Sequence, residues 1–289
     1  MTTTEFDPVR YKAAQRVNWN AISAGWATWQ DEFERGAVTV TARLLELARV
    51  GPGSTVLDAG TGVGEPALHA AEVVGTYGRV LGIDIAPDML SHACRRGAGV
   101  RNVEFAEGDL ESLDLPARSF DAVLSRWGLM FAVDHVATFE GMLRILVPGG
   151  RLAAAVWGPP QGAPIMSLGF RAVSSLVDPP PPPPGSPSPF GMASADILAG
   201  ELESAGFADV EISEFEVPFR FASPEQYIAF NRAVIPPALR EVLHAELGGD
   251  DTADIRAALH AALEPYRLDD GGVALPSNAL LVRAVAPGD

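Results

Sequence analysis

The stretch Val56-Leu57-Asp58-Ala59-Gly60-Thr61-Gly62-Val63-Gly64-Glu65 restricts the fold of this chain more than any other. A short apolar run leads into glycines at every second position and then directly into a helical pattern. Glycine is required where a backbone turns sharply and must meet a ligand with no β-carbon between them. A buried strand that ends in such a turn and continues as a helix is the opening unit of a nucleotide-type α/β sheet. The dinucleotide fingerprint needs its third glycine three residues after the second. That position holds Glu65, which counts against a dehydrogenase.

The rest of the chain keeps the same rhythm. Apolar runs at 55–59, 79–84, 103–106, 120–125 and 151–157 read as strands, with helical patterns at 65–74, 87–96 and 136–146 between them. Pro148-Gly149-Gly150 reads as a tight turn ahead of the fifth strand. Beyond Trp157 the alternation breaks into a helical stretch at 165–177 and then the six prolines 179–184, a stiff extended surface loop. A helix at 194–205, a long strand at 210–221, helices over 223–267 and a last strand at 279–286 follow. The predicted fold is α/β: a Rossmann-like seven-stranded, mostly parallel sheet with helices on both faces, plus N-terminal and inserted lid helices. The predicted division is an N-terminal helical cap at 1–50, a cofactor-binding core at 51–160 and a Pro-rich lid or loop insertion at 161–190. Residues 191–289 complete the core, with a helical insertion at about 223–270.

Charge narrows the partners. Lys and Arg number 21 against 37 Asp and Glu, a formal charge of -16, and a field of that sign repels phosphate backbones and anionic membrane surfaces. Nucleic acid is therefore not expected as a partner. No apolar run reaches the ~20 residues of a membrane span, so no membrane insertion is expected. Residues 1–7 are polar and acidic and lack a signal-peptide core, which makes the cytoplasm the expected compartment. The single cysteine, Cys94, excludes an internal disulfide and a thiolate zinc cluster and reads as a small apolar filler on a helix. The five histidines show no ligand spacing, so no metal is expected.

Two acids stand where such a sheet binds ligands. Asp84 closes the second strand, at the carboxyl edge, where its carboxylate can accept bonds from both hydroxyls of a ribose. Asp109, in Phe105-Ala106-Glu107-Gly108-Asp109-Leu110, lies just past the third strand, where an adenine amino group can donate to it. With Leu143-Arg144-Ile145-Leu146-Val147-Pro148-Gly149-Gly150-Arg151-Leu152 added, the chain resembles the class I S-adenosylmethionine-dependent methyltransferases, and within them the ubiquinone/menaquinone-biosynthesis type. The resemblance is dense from about Thr55 to Trp157 and looser elsewhere.

That resemblance implies S-adenosylmethionine as cofactor and a small organic molecule as methyl acceptor. It implies that Asp58 and Gly60-Thr61-Gly62 hold the methionine part and that Asp84 takes the ribose. Ile85 and Met89 would line the adenine, Asp109 would meet its amino group with the Leu110 backbone close by, and Ser125 would lie near the reacting sulfur. Trp19, Trp26 and Trp29 are its lid candidates. Trp127, Met130 and Phe131 follow Ser125 as candidates for the acceptor pocket floor, with Arg126 for an anionic acceptor. His135 is the candidate base nearest that edge in sequence. Each of these aromatic and charged side chains also has a plain reading as core packing or surface. Two alternatives stay open: a nicotinamide-dependent oxidoreductase on the same fold, and a non-catalytic or repurposed S-adenosylmethionine-binding protein.

Overall fold

The structure is a computed structural model and describes residues 6–179 and 181–288. Most of the polar N-terminal stretch, residues 1–5, and Pro180 of the proline run lie outside the described residues. The chain runs α1 (Pro8–Leu47), β1 (Thr55–Ala59), α2 (Ala67–Val74), β2 (Arg79–Asp84), α3 (Pro87–Arg96), β3 (Val103–Glu107), β4 (Phe120–Arg126), α4 (His135–Ile145) and β5 (Leu146–Trp157). It continues with α5 (Pro164–Ser174), α6 (Ala195–Ser204), β6 (Ala208–Phe221), α7 (Pro224–Ala233), α8 (Pro237–Leu247), α9 (Ala253–Leu263) and β7 (Val273–Val285).

Local chemistry accounts for the helix starts. Asp134, Ser194, Ser223 and Thr252 each turn a side-chain oxygen onto a first-turn amide of α4, α6, α7 and α9, respectively. α3 has no side-chain cap. Pro87 opens it, Asp88 stands in its first turn, and Arg95 and Arg96 close it, so the charges oppose the helix dipole. Met89, Leu90 and Ala93 are its buried face. Cys94, expected as a small apolar filler, is exposed: one step beyond Ala93, it turns about 100° from that residue and off the edge of the buried face.

The seven strands form one sheet in the order β3-β2-β1-β4-β5-β7-β6; its seven strands and mostly parallel pairing are those the alternation predicts. β1 to β5 pair in parallel, and β7 runs antiparallel to β5 with Trp157 opposite Ala279. The chain steps outward from β1 to β3 and then returns to β4 on the other side of β1. The carboxyl ends of β1 and β4 therefore flank the switch point, where open α/β sheets bind ligands.

Two strands are longer than their apolar runs. β5 begins at Leu146: Phe120 pairs with Leu146 and Ala122 with Arg151, so Pro148-Gly149-Gly150 is a bulge inside the strand and not a turn before it. The bulge stays in the sheet because Gly149 N donates to Ala286 O and Ala286 N to Gly150 O. β7 begins at Val273, ahead of the apolar run at 279.

The chain forms two compact units. One comprises the described residues up to Ala37, Pro160–Ser186 and Glu216–Asn278; the other comprises Val38–Pro159, Pro187–Phe215 and the described residues from Ala279. The first has an aromatic core in which Phe33, Phe219, Phe221, Tyr227 and Phe230 are all buried. The second is centred on Val56, Leu57, Val123, Leu124 and Leu152, all with no exposure. Among the described residues, no helix is long and apolar enough to cross a membrane.

Candidate functional site

The glycine turn after β1 is tied to the neighbouring strand. Gly60 N and Thr61 N both donate to Ile83 O at 2.9 Å, and Gly62 N donates to Asp84 Oδ2 at 2.9 Å. Three amides that a phosphate-binding loop would offer to a ligand are thus already engaged. Gly60, at φ 78°, backs onto Gly128 after β4; a β-carbon on Gly60 would stand 3.1 Å from Gly128 Cα. A β-carbon on Gly128 would stand 2.9 Å from Ala59 O, so the two turns meet backbone to backbone.

What the turn presents is a set of acceptors. Asp58 has no exposure; its Oδ2 accepts from Ala67 N at 2.9 Å, which caps α2 across the turn. Its Oδ1 and the buried Thr61 Oγ1 have no hydrogen-bond partner of ordinary geometry, although the hydroxyl lies close enough to favour the carboxylate. Burial pushes the Asp58 carboxyl up to about 7, against the Thr61 hydroxyl, the Ala67 amide and the charge of Arg126. Asp84 accepts from Ala86 N at 2.9 Å as well as from Gly62 N. Burial raises it too, against the amides of Ala86, Gly62 and Ile85, and it remains only half-buried.

Asp109 accepts from Glu111 N at 2.9 Å, and Leu110 leans towards the Gly60 turn, its Cδ1 3.9 Å from where a Gly60 β-carbon would be. Met89 is buried and Ile85 half-buried. Ser125 is fully buried and donates to Ala59 O at 2.7 Å, which locks the ends of β4 and β1 together. Its hydroxyl is thus a strut at the switch point.

Around Ser125 the structure gathers the candidates of the β4–α4 loop. Trp127, at φ 62°, stacks on Trp157 with ring centres 4.4 Å apart. The Arg126 guanidinium carbon lies 5.3 Å from the Trp127 ring centre, and Nη1 donates to Thr41 Oγ1 at 2.6 Å. Arg126 is buried, and its charge favours the ionised forms of Asp58 and Glu65. Met130 is buried, and Phe131 is half-buried. His135 opens α4 with Nδ1 3.0 Å from Glu201 Oε2 on α6. Trp19, Trp26 and Trp29 belong to the other unit, where Trp26 meets Phe33 edge-on at 5.2 Å and Trp29 meets Phe230 at 6.2 Å.

Sequence reasoning passed over Gly128 and Arg96, and gave Glu65 no role beyond breaking the dinucleotide fingerprint. Arg96 reaches from the end of α3 to Val63 O at 2.7 Å and Glu65 Oε1 at 2.8 Å, while Glu65 Oε2 lies 2.6 Å from His69 Nδ1. Burial works to raise the Glu65 carboxyl, but His69, Arg126 and Arg96 hold it below the usual range. A basic residue ending a helix is so common that it gives no signal. Gly128 could have been found as the one glycine directly after the Ser125-Arg126-Trp127 strand end.

These groups fit an adenosyl-sulfonium amino acid. A buried orphan carboxylate oxygen suits a cationic amino group, and a half-open carboxylate at the end of β2 suits a ribose. A pyrophosphate would need the amides that Ile83 and Asp84 occupy.

Comparison with known proteins agrees. The methyltransferase domain family matches residues 56–150. Nocamycin O-methyltransferase of Saccharothrix syringae is 31% identical over 237 residues, 74% of this chain and 83% of that protein. Arsenite methyltransferase of Halobacterium salinarum is 33% identical over 178 residues, 61% of this chain, and the chain spans only 43% of its length. In fold, the chain resembles phosphoethanolamine N-methyltransferase 2 of Haemonchus contortus, solved with phosphomonomethylethanolamine and S-adenosylhomocysteine: TM-score 0.60 at 18% identity, covering 96% of this chain and 60% of that one. The chain belongs to the class I S-adenosylmethionine-dependent methyltransferases.

Proposed function

We propose that this chain transfers a methyl group from S-adenosylmethionine to a small organic acceptor, at oxygen, carbon or nitrogen. One observation carries the reading: the turn after β1 offers a buried carboxylate oxygen, Asp58 Oδ1, while the amides of Gly60, Thr61 and Gly62 are already bonded within the protein. That polarity suits a cationic amino-acid moiety and opposes a dinucleotide, and with the family assignment it speaks against the nicotinamide reading. Asp58, Gly60, Thr61 and Gly62 would hold the methionine part, Asp84 the ribose, and Ile85, Met89, Asp109 and Leu110 the adenine.

When bound, the cofactor supplies an electrophilic sulfonium methyl. The protein's share is alignment and exclusion of water, and alignment alone can lower a barrier by several kcal/mol. Gly128 lets the β4–α4 turn close on Gly60, and Ser125 fixes the strand ends beneath it. Trp127, held flat against Trp157, and Met130 would form the floor for an apolar acceptor, with Arg126 behind Trp127. A base is needed only if the acceptor must shed a proton, and His135, oriented by Glu201, would take that role. Small-molecule acceptors are supported by the relatives' names, which specify arsenite and nocamycin, and by the charge of -16, which disfavours nucleic acid.

The test is calorimetric titration of the whole chain with S-adenosylmethionine and S-adenosylhomocysteine. Incubation with methyl-labelled cofactor and a panel of phenols, quinones, carboxylic acids and amines then follows. Binding of both ligands with label passing to one acceptor class is the expected result. A folded protein that binds neither ligand overturns the assignment of the site, and binding without transfer to any acceptor favours a repurposed cofactor site.

A further inference from the structure

A single side chain joins the segment after β3 to the loop after β4. Glu111 Oε1 accepts from Val133 N at 2.9 Å and Oε2 from Asp134 N at 3.3 Å, while the Glu111 amide donates to Asp109 Oδ1 at 2.9 Å. Farther along α4, Arg144 donates from Nη2 to Leu113 O at 2.7 Å and from Nη1 to Leu115 O at 2.8 Å. Residues 109–115 are thus strapped along α4 from both ends. An acid takes the amides leading into the helix, and a base on the helix takes the carbonyls of the strap. The same strap carries Leu110, which leans on the Gly60 turn. The loop held at Val133 carries Trp127 and Met130.

We infer that Glu111 is a positioning residue that couples the adenine end of the cofactor site to the β4–α4 loop, so that filling the first orders the second. The inference rests on the reading that Asp109 and Leu110 meet the adenine. If Asp109 is drawn towards a ligand, the Glu111 amide bonded to it follows, and the Glu111 carboxylate carries Val133 and Asp134 along. The link is short, polar and inside one compact unit. Coupling between two sites through a defined network of this kind is worth about fivefold or more in the linked equilibrium.

Amide hydrogen exchange on the whole chain, with and without S-adenosylhomocysteine, tests it. In the unaltered protein the ligand should slow exchange of residues 128–134 by about fivefold or more. In Glu111→Ala, the Val133 and Asp134 amides should exchange about tenfold faster before any ligand is added, through loss of charge-assisted bonds. The ligand should still bind, yet no longer slow 128–134. Glu111→Gln keeps one acceptor oxygen and should restore part of the slowing, a graded rescue that general loosening of the loop would not produce. If Glu111→Ala fails to fold, Glu111→Gln against the unaltered protein gives the same comparison. Equal slowing in all three proteins, or none in the unaltered protein despite binding, overturns the coupling and leaves the cofactor site standing. Absence of binding to the unaltered protein removes the site and the coupling together.

Discussion

Asp58 makes the site sensitive to pH in a direction opposite to that of most carboxylates. In the unfolded chain it titrates near 3.8, and in the folded protein burial pushes it up to about 7. Between those values the folded state keeps a proton that the unfolded state has released, so stability falls as pH rises from about 4 to about 7 and levels off above. Asp58→Asn cannot ionise and should lack that slope. Urea midpoints measured from pH 4 to pH 8 check it, and parallel curves for the two proteins would show that Asp58 is ionised throughout. If the orphan oxygen receives the cofactor's amino group, binding should also release a proton near pH 7, visible as buffer-dependent heats. Asp84→Ala should weaken S-adenosylhomocysteine binding at least about tenfold by removing charge-assisted bonds to the ribose; unchanged affinity in a folded variant would take Asp84 out of the site. The placement of Asp84 and Asp109 at strand ends was legible because a strand's end is readable from where its apolar run stops. Arg96 and Glu111 were not, because the partners of their side chains lie 31 and 22 residues away or more and are set only when the sheet assembles.

At the scale of elements, β1, β2 and β4 were readable almost residue for residue. They are short, largely apolar runs bounded by glycine, proline and charge, as burial on both faces demands. The strands that escaped are those extended by backbone pairing in spite of their side chains. Nothing in Pro148-Gly149-Gly150 signals a strand; the pairings of β4 on either side of it and the bonds to Ala286 keep it in one. The long helix α1 was readable as helix, but its packing was not. A β-carbon on Gly25 would stand 2.2 Å from Ala233 O of α7, a backbone atom that cannot turn aside. Gly25→Ala should therefore push α1 off α7 and loosen the edge-on contacts of Trp26 with Phe33 and Phe230. The expected loss is about 1–3 kcal/mol, as for an overpacked core. It should appear as a lower urea midpoint with red-shifted tryptophan emission, whereas an unchanged midpoint would mean that the two helices are farther apart than described.

At the scale of the whole molecule, chain order and spatial grouping disagree. The sequence divides at 50, 160 and 190, where composition changes, yet one compact unit draws on three separate stretches and the other on three as well. A helix crossing from one unit to the other carries no mark in composition, because its apolar positions keep the same spacing on both sides. The proline run shows the converse: composition makes it conspicuous, yet it has little structural consequence. Pro181, Pro182, Pro183 and Pro184 are exposed and lie in no helix or strand. Their fixed φ limits the unfolded chain as much as the folded one, so the run adds stiffness at little cost in free energy. Removing residues 179–184 should therefore leave affinity for S-adenosylhomocysteine within about twofold, since loop length enters the closure entropy only as a logarithm. Calorimetry on the deleted chain reads this directly. A tenfold loss would show that the prolines matter to binding, and the loop would then have to be counted with Asp84 and Asp109 among the parts proposed to hold the cofactor.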